Sequence, residues 1–184
     1  MRLSFYIADE KYCSFLRQKD PRVTYTMDDK ANRPFVGVVF EINNMKYYAP
    51  LTSPKPKHKK MKNQMDFQKI NGGEWGAINF NNMIPIHIDS LKNIEVQKLP
   101  CITEEDKNYK NLLENQLSWC NAYKNNIISK AEKLYRIITD DKKEHDPQLA
   151  GLMKRCCNFK LNEARYIEYC KSNNFSLSNH NEQE

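Results

Sequence analysis

The run Phe35-Val36-Gly37-Val38-Val39-Phe40-Glu41-Ile42 is β-branched or aromatic almost without a break, and it constrains the fold more than any other stretch of the chain. It is too short to cross a bilayer and has no helical period, so it reads as a central strand buried on both faces. Asn43-Asn44 follows, a pair that tolerates positive φ, and Met45-Lys46-Tyr47-Tyr48-Ala49 returns as the second arm of a hairpin. Shorter runs surround this pair. Leu3 to Ile7 is a strand-like start, after which Asp9 caps a short helix with Tyr12, Phe15 and Leu16 on one face. Lys19 to Arg33 is polar and reads as a surface loop. Met65 to Ile70 and Trp75 to Phe80 flank the turn Asn71-Gly72-Gly73, and Met83 to Ile88 adds a short strand that Pro85 bends or places at an edge.

Beyond Pro100 the period becomes helical. Thr103-Glu104-Glu105-Asp106 has the form of a capping box, and Tyr109, Leu112, Leu113, Gln116, Cys120, Tyr123 and Ile127 trace one stripe. A helix from Ile127 to about Thr139, a charged loop from Asp140 to Pro147 and a last helix within Cys156 to Ser172 complete the pattern. The expected class is α+β: a compact, strongly curved, mostly antiparallel sheet with packed helices, mainly C-terminal. One domain is expected over residues 1–175, with a frayed tail over 176–184.

At 184 residues with 40% hydrophobic content and a mean hydropathy of −0.82, the chain pairs a small core with a very polar surface. Its formal net charge of +6 favours an anionic partner, with nucleic acid ahead of membrane. The apolar runs fall well short of the roughly 20 residues a membrane helix needs, and Met1-Arg2-Leu3-Ser4-Phe5 has no signal-peptide core, so a cytoplasmic protein is expected. The six cysteines form no C-x-x-C pair and no repeating framework, which makes them reduced structural thiols and a zinc site improbable.

Chemistry concentrates in Tyr48-Ala49-Pro50-Leu51-Thr52-Ser53-Pro54-Lys55-Pro56-Lys57-His58-Lys59-Lys60. Two hydroxyls stand beside fixed positive charge, an arrangement suited to a phosphodiester. Proline at 50, 54 and 56 removes three backbone donors and sets φ, so the segment is expected to be a stiff extended loop, not a helix. A solvated basic loop whose Ser and Thr make local turn bonds explains it equally well. His58 among lysines is biased towards its neutral form, and an ordinary surface histidine is the simpler reading. His87 reads as the solvent face of a strand, and Tyr12 as a core residue. Phosphate-loop, H-E-x-x-H and G-x-S-x-G signatures are all absent, which argues against an NTPase or a metal hydrolase.

The chain resembles the toxins of type III toxin–antitoxin systems, the family of ToxN and AbiQ. The resemblance rests on Phe5-Tyr6, Lys11-Tyr12, Phe15-Leu16, the strand Pro34 to Ile42, and Lys46-Tyr47-Tyr48-Ala49-Pro50-Leu51-Thr52-Ser53-Pro54-Lys55 with His58. It continues through Gly76-Ala77-Ile78-Asn79, Met83-Ile84-Pro85-Ile86, Cys157-Asn158-Phe159 and Tyr166. The family implies a metal-independent endoribonuclease without cofactor, whose fold resembles the MazF and Kid barrel with added helices. It also implies a small RNA antitoxin, a pseudoknot cut from a tandem-repeat precursor, that assembles with the toxin into closed rings and serves abortive infection of phage. Carried onto matching positions, Thr52, Ser53 and Lys55 are active-site residues, and Arg33 stands where the family has a basic residue, often Lys. Tyr12 matches the tyrosine of the first helix.

Metal-free cleavage by the neighbouring 2′-OH yields a 2′,3′-cyclic phosphate and a 5′-OH. In that chemistry Thr52 and Ser53 hold the phosphate and the 2′-OH in line, while Lys55 and Arg33 stabilise the growing charge. RNA is expected to run along Lys57, His58, Lys59 and Lys60, with bases splayed onto aromatic faces such as Tyr12. A non-catalytic RNA-binding protein using the same loop, and more remotely a protein-interaction module, are the competing classes.

Overall fold

The computed structural model describes residues 2–24, 34–143 and 145–177. In chain order the elements are β1 (Ser4–Ala8), α1 (Glu10–Arg17), β2 (Phe35–Ile42), β3 (Met45–Thr52), α2 (Pro56–Lys60), β4 (Phe67–Lys69), β5 (Ala77–Asn79), β6 (Ile84–Pro85), β7 (Leu91–Asn93), α3 (Glu104–Ala122), α4 (Lys124–Thr139), α5 (Ala150–Arg155) and α6 (Phe159–Ser172).

The expected hairpin forms as β2 and β3. Asn43 and Asn44 take φ of 49° and 63°, the left-handed pair that a two-residue turn between twisted strands needs. Every strand pairing is antiparallel, in the order β4-β5-β3-β2-β1-β7. Along its edge away from β2, β3 takes two partners in succession: Tyr47 and Tyr48 face β6, and Leu51 and Thr52 face β5. A register shift between Gly37 and Phe40 bends the hairpin and curves the sheet. The curvature stops short of the barrel that the resemblance implied. Strands β4 and β7 are the two ends of the order and do not pair with each other, so the described sheet stays open.

Helices cover the sheet. Thr103 Oγ1 accepts from the Asp106 amide at 3.1 Å while Asp106 Oδ2 accepts from the Thr103 amide at 2.9 Å, the reciprocal cap that the sequence forecast for α3. Leu113, Gln116 and Cys120 of α3 are buried, as are Ile127, Ala131, Leu134 and Tyr135 of α4. Phe40 stacks on Tyr47 at 4.5 Å between ring centroids, and Tyr135 and Phe159 close around them. Each such ring withdrawn from water contributes about 2 kcal/mol. Both phenols of this cluster, Tyr47 and Tyr135, donate to Glu163 Oε1 at 2.7 Å, which ties the sheet and α4 to α6.

The polar stretch after α1 is less exposed than expected. Asp20 is fully buried, and its carboxylate accepts from the Asn158 amide at 2.6 Å and from Asn162 Nδ2 at 3.0 Å, locking the end of α1 to the start of α6. His87 is not on an open strand face: its ring stacks on Phe175 at 4.9 Å, and Nε2 lies 2.9 Å from the Ser176 carbonyl oxygen. The chain is therefore held through Ser176, where fraying was expected to begin.

Candidate active site

The end of β3 is fixed from several sides. The Leu51 amide donates to the Pro34 carbonyl at 2.8 Å, and Leu51 and Thr52 pair with Ile78 and Ala77. Ladder pairing ends there because Pro54 lacks a donor and restricts Ser53 to extended backbone. Gly76, at φ 90°, lies against this end so closely that a Cβ on it would sit 2.0 Å from the Thr52 carbonyl oxygen. Only glycine combines that φ with that approach. Gly73, at φ 97°, leans in the same way on the His58 backbone, 2.8 Å from where its own Cβ would be. Gln116 of α3 then donates from Nε2 to the Trp75 carbonyl at 2.6 Å, clamping the intervening turn.

This end opens into a cleft of about 830 Å³ between β3, β7 and α3, walled by Thr52, Ser53, Lys92, Asn93, Lys98 and Tyr109 among others. Thr52 is mostly buried and Ser53 is exposed, and both line the cleft. Lys98 is engaged in an ion pair with Glu95, whereas Lys92 is exposed and makes no ion pair among the described residues. Lys92 is thus a cation open to an anion. Sequence reasoning missed it because β7 has only 3 residues and offers no period to read, and it missed Lys98 because that residue lies on a single helical turn, Val96–Lys98, that is equally short. Tyr109 and Gln116 were visible only as members of the α3 stripe.

Lys55 is exposed and occupies the cap position of α2, with Pro56 at the first helical place. The segment expected to be wholly extended is extended only to Lys55. Proline at the first position of a helix loses no intrahelical bond and already has the helical φ, so Pro56 starts a turn where it was read as preventing one. That turn sorts the side chains: Lys57, Lys59 and Lys60 are exposed, and His58 points inward at 2% exposure, its ring 5.7 Å from that of Phe67. His58 is therefore not a surface histidine, and it lacks the exposure of the three lysines with which it was expected to contact RNA. Its Nδ1 is buried with no hydrogen-bond partner among the described residues. Burial first, then the charges of Lys57 and Lys55, hold its pKa below the usual histidine value, so the ring is neutral at pH 7.

Tyr12 offers no face to a base either. It is 1% exposed, its hydroxyl donates to the Pro85 carbonyl, and its ring meets Tyr169 edge-on. Arg33 lies outside the described residues. Five of the six cysteines are buried away from the cleft opening, and burial pushes the thiols of Cys120 and Cys156 up to about 12, which makes them poor nucleophiles. No described helix is long and apolar enough to cross a membrane.

Residues 4–167 match the family described as Toxin ToxN, type III toxin–antitoxin system. Endoribonuclease ToxN of Pectobacterium atrosepticum is 30% identical over 177 residues, which cover 92% of this chain and 95% of that protein. A solved structure from work on selective inhibition of type III toxins by a non-coding RNA pseudoknot superposes with a TM-score of 0.77 at 28% identity, over 92% of this chain and 98% of that one. The structure of AbiQ, a lactococcal anti-phage endoribonuclease of the type III toxin–antitoxin class, superposes with a TM-score of 0.73 at 25% identity, over 93% and 99%. Sequence pattern and backbone agree from β1 to α6, and the chain belongs to the ToxN family of type III toxin–antitoxin toxins.

Proposed function

We propose that this chain is a metal-independent endoribonuclease toxin that cuts RNA at the cleft beside Ser53 and is restrained by a small RNA antitoxin. The observation that carries the reading is the position of Ser53: an exposed serine on a cleft wall, next to backbone pinned by β5 and Gly76. Pinning matters because in-line attack depends on holding the 2′-OH, phosphorus and 5′-oxygen on one axis.

In the reaction the ribose 2′-oxygen gives its proton to solvent water and bonds to the adjacent phosphorus, and the bond to the 5′-oxygen breaks. The products are a 2′,3′-cyclic phosphate and a 5′-OH end, the latter taking up one proton. Ser53 and Thr52 position the phosphate through hydroxyl hydrogen bonds. Lys55 and Lys92 supply positive charge for the added negative charge of the pentacoordinate state, and Lys55 protonates the departing oxygen. Arg33 is retained as a second clamp on a phosphate oxygen. Exposed Lys57, Lys59 and Lys60 draw the strand in, in keeping with the net charge of +6.

The antitoxin in this reading is a pseudoknot RNA, cut by the toxin from a tandem-repeat precursor, that fills the cleft and closes a toxin–RNA ring. The setting is cytoplasmic defence against phage. Purified protein, incubated with RNA in EDTA, should generate cyclic-phosphate ends, and Ser53→Ala should lower the rate by at least about a hundredfold while still binding RNA. Wild-type protein that binds RNA but makes no new ends, or a Ser53→Ala variant cutting at full rate, overturns the reading.

A further inference from the structure

A second cleft, of about 440 Å³, lies between the α3–α4 junction and the segment that carries β4, and it shares no lining residue with the first. We propose that it is a subsite for one unpaired base of the RNA strand bound across α2; this rests on the reading of the chain as an RNA-cutting enzyme.

The chemistry of the walls points to a base. Trp119 and Tyr123 stand four residues apart on one helical face, with ring centroids 4.5 Å apart and planes at 30°. Tyr123 is 48% exposed, so the pair presents one open π face to solvent and one covered by its partner ring. Side-chain amides complete the walls, Asn63 on the facing segment and Asn126 beside the rings at the start of α4. Asn63 accepts from the Lys69 amide at 2.8 Å, which fixes its oxygen and leaves its NH₂ to donate outward. Asn126 is exposed. An amide carries a donor and an acceptor side by side, the pattern that matches the edge of a nucleobase. Among the described residues no carboxylate lines this cleft, and the nearby Glu74 is engaged by Asn71 Nδ2 at 3.1 Å and by Lys59 Nζ at 3.8 Å.

The cleft also adjoins the cationic turn. Lys69 lines it, and Lys69 Nζ donates to the Lys59 carbonyl at 3.3 Å, so one wall is bonded directly to α2. Lys59 and its exposed neighbours Lys57 and Lys60 sit on that turn, two to seven residues beyond Lys55 and Ser53 in the chain. A strand whose phosphates follow these lysines is led from Ser53 to the Trp119–Tyr123 platform. A flat base fills it with stacking that tolerates any sequence.

The chain has 2 tryptophans, so Trp75→Phe leaves Trp119 as the single indole, which is excited selectively at the red edge of the absorption band. In a Ser53→Ala background, where RNA stays intact, a labelled twelve-nucleotide oligoadenylate should quench Trp119 along the same curve that its own anisotropy traces. In the active enzyme, Tyr123→Ala should raise KM for a single-stranded substrate roughly tenfold with kcat held, and Tyr123→Phe should restore it. Anisotropy that rises while Trp119 emission stays constant, with KM unchanged in Tyr123→Ala, overturns the subsite and leaves the enzyme reading standing. An oligonucleotide that never binds, in a protein that never cuts RNA, overturns both.

Discussion

Ser53 and Lys59 are six residues apart in one basic motif, yet the structure holds them in opposite ways. Around Ser53 the constraints act on the backbone: a ladder to β5, a bond from Leu51 to Pro34, and the bare Cα of Gly76 under the Thr52 carbonyl. The α2 lysines are held by one short turn that starts at Pro56 and rests on the buried ring of His58; all three are exposed, and Lys59 Nζ lies 3.8 Å from the Glu74 carboxylate. A hydroxyl that must line up reacting atoms needs the first kind of support. A cation that attracts a polyanion from a distance needs only the second. The difference teaches that one sequence motif carries two separable functions, positioning and attraction, which mutation should resolve into effects on kcat and on KM.

The sharpest way to break this division is at Gly76. Alanine there places a Cβ where the Thr52 carbonyl oxygen already sits and adopts a φ of 90° that L residues avoid. Either β3 or the turn must move, and a displacement near 1 Å at the reacting centre costs about a hundredfold in rate. Gly76→Ala should therefore lose about two orders of magnitude in kcat, together with a lowered Tm in calorimetry. Full activity at an unchanged Tm would mean that the turn does not set the position of Ser53.

Parts of this arrangement were legible in the sequence, and the reason is range. The Asn43-Asn44 hairpin and the Thr103–Asp106 cap depend on neighbours within a few residues, so composition and spacing decide them. Thr52, Ser53 and Lys55 were found through a motif. The helical spacing of Tyr12, Phe15 and Leu16 gave the burial of Tyr12, and only the resemblance argued for an open face; the inward turn of His58 depends on Phe67, across a turn, and no local pattern encodes it. Strands β4 to β7 have only 2 or 3 residues each, below the length at which alternation can be seen. Lys92 enters the site through one of these. Pro56 shows a different failure: the same fixed φ suits an extended loop and the first place of a helix, and only the residues packed beneath decide between them.

Removing charge from the attracting half tests the other side of the comparison. With Lys57, Lys59 and Lys60 all changed to Gln, the salt dependence of single-stranded RNA binding should flatten by up to about 2 in log–log slope, near 0.7 for each lost phosphate contact. The loss should fall on KM, measured by cleavage at several salt concentrations. A fall in kcat at unchanged slope would move these lysines into the positioning half.

The smallest expected effect is a pH dependence at the joint between the halves. His58 is buried and neutral, with its pKa held below the ordinary histidine value by burial and then by Lys57 and Lys55. The unfolded chain binds that proton more readily, so the ring adds no pH dependence well above about 6.5 and costs stability as pH falls from there towards the lowered folded value. Phe at this position should pack against Phe67 without losing a hydrogen bond at Nδ1, since that atom has no partner among the described residues. The acid-side decline of Tm, followed by calorimetry from pH 8 to pH 5, should accordingly be shallower in His58→Phe than in the wild type. Added salt should shrink the gap by screening the two lysines, while leaving the larger share that comes from burial. Parallel curves would place the His58 ring in water and detach α2 from the support on which the separation of positioning from attraction depends.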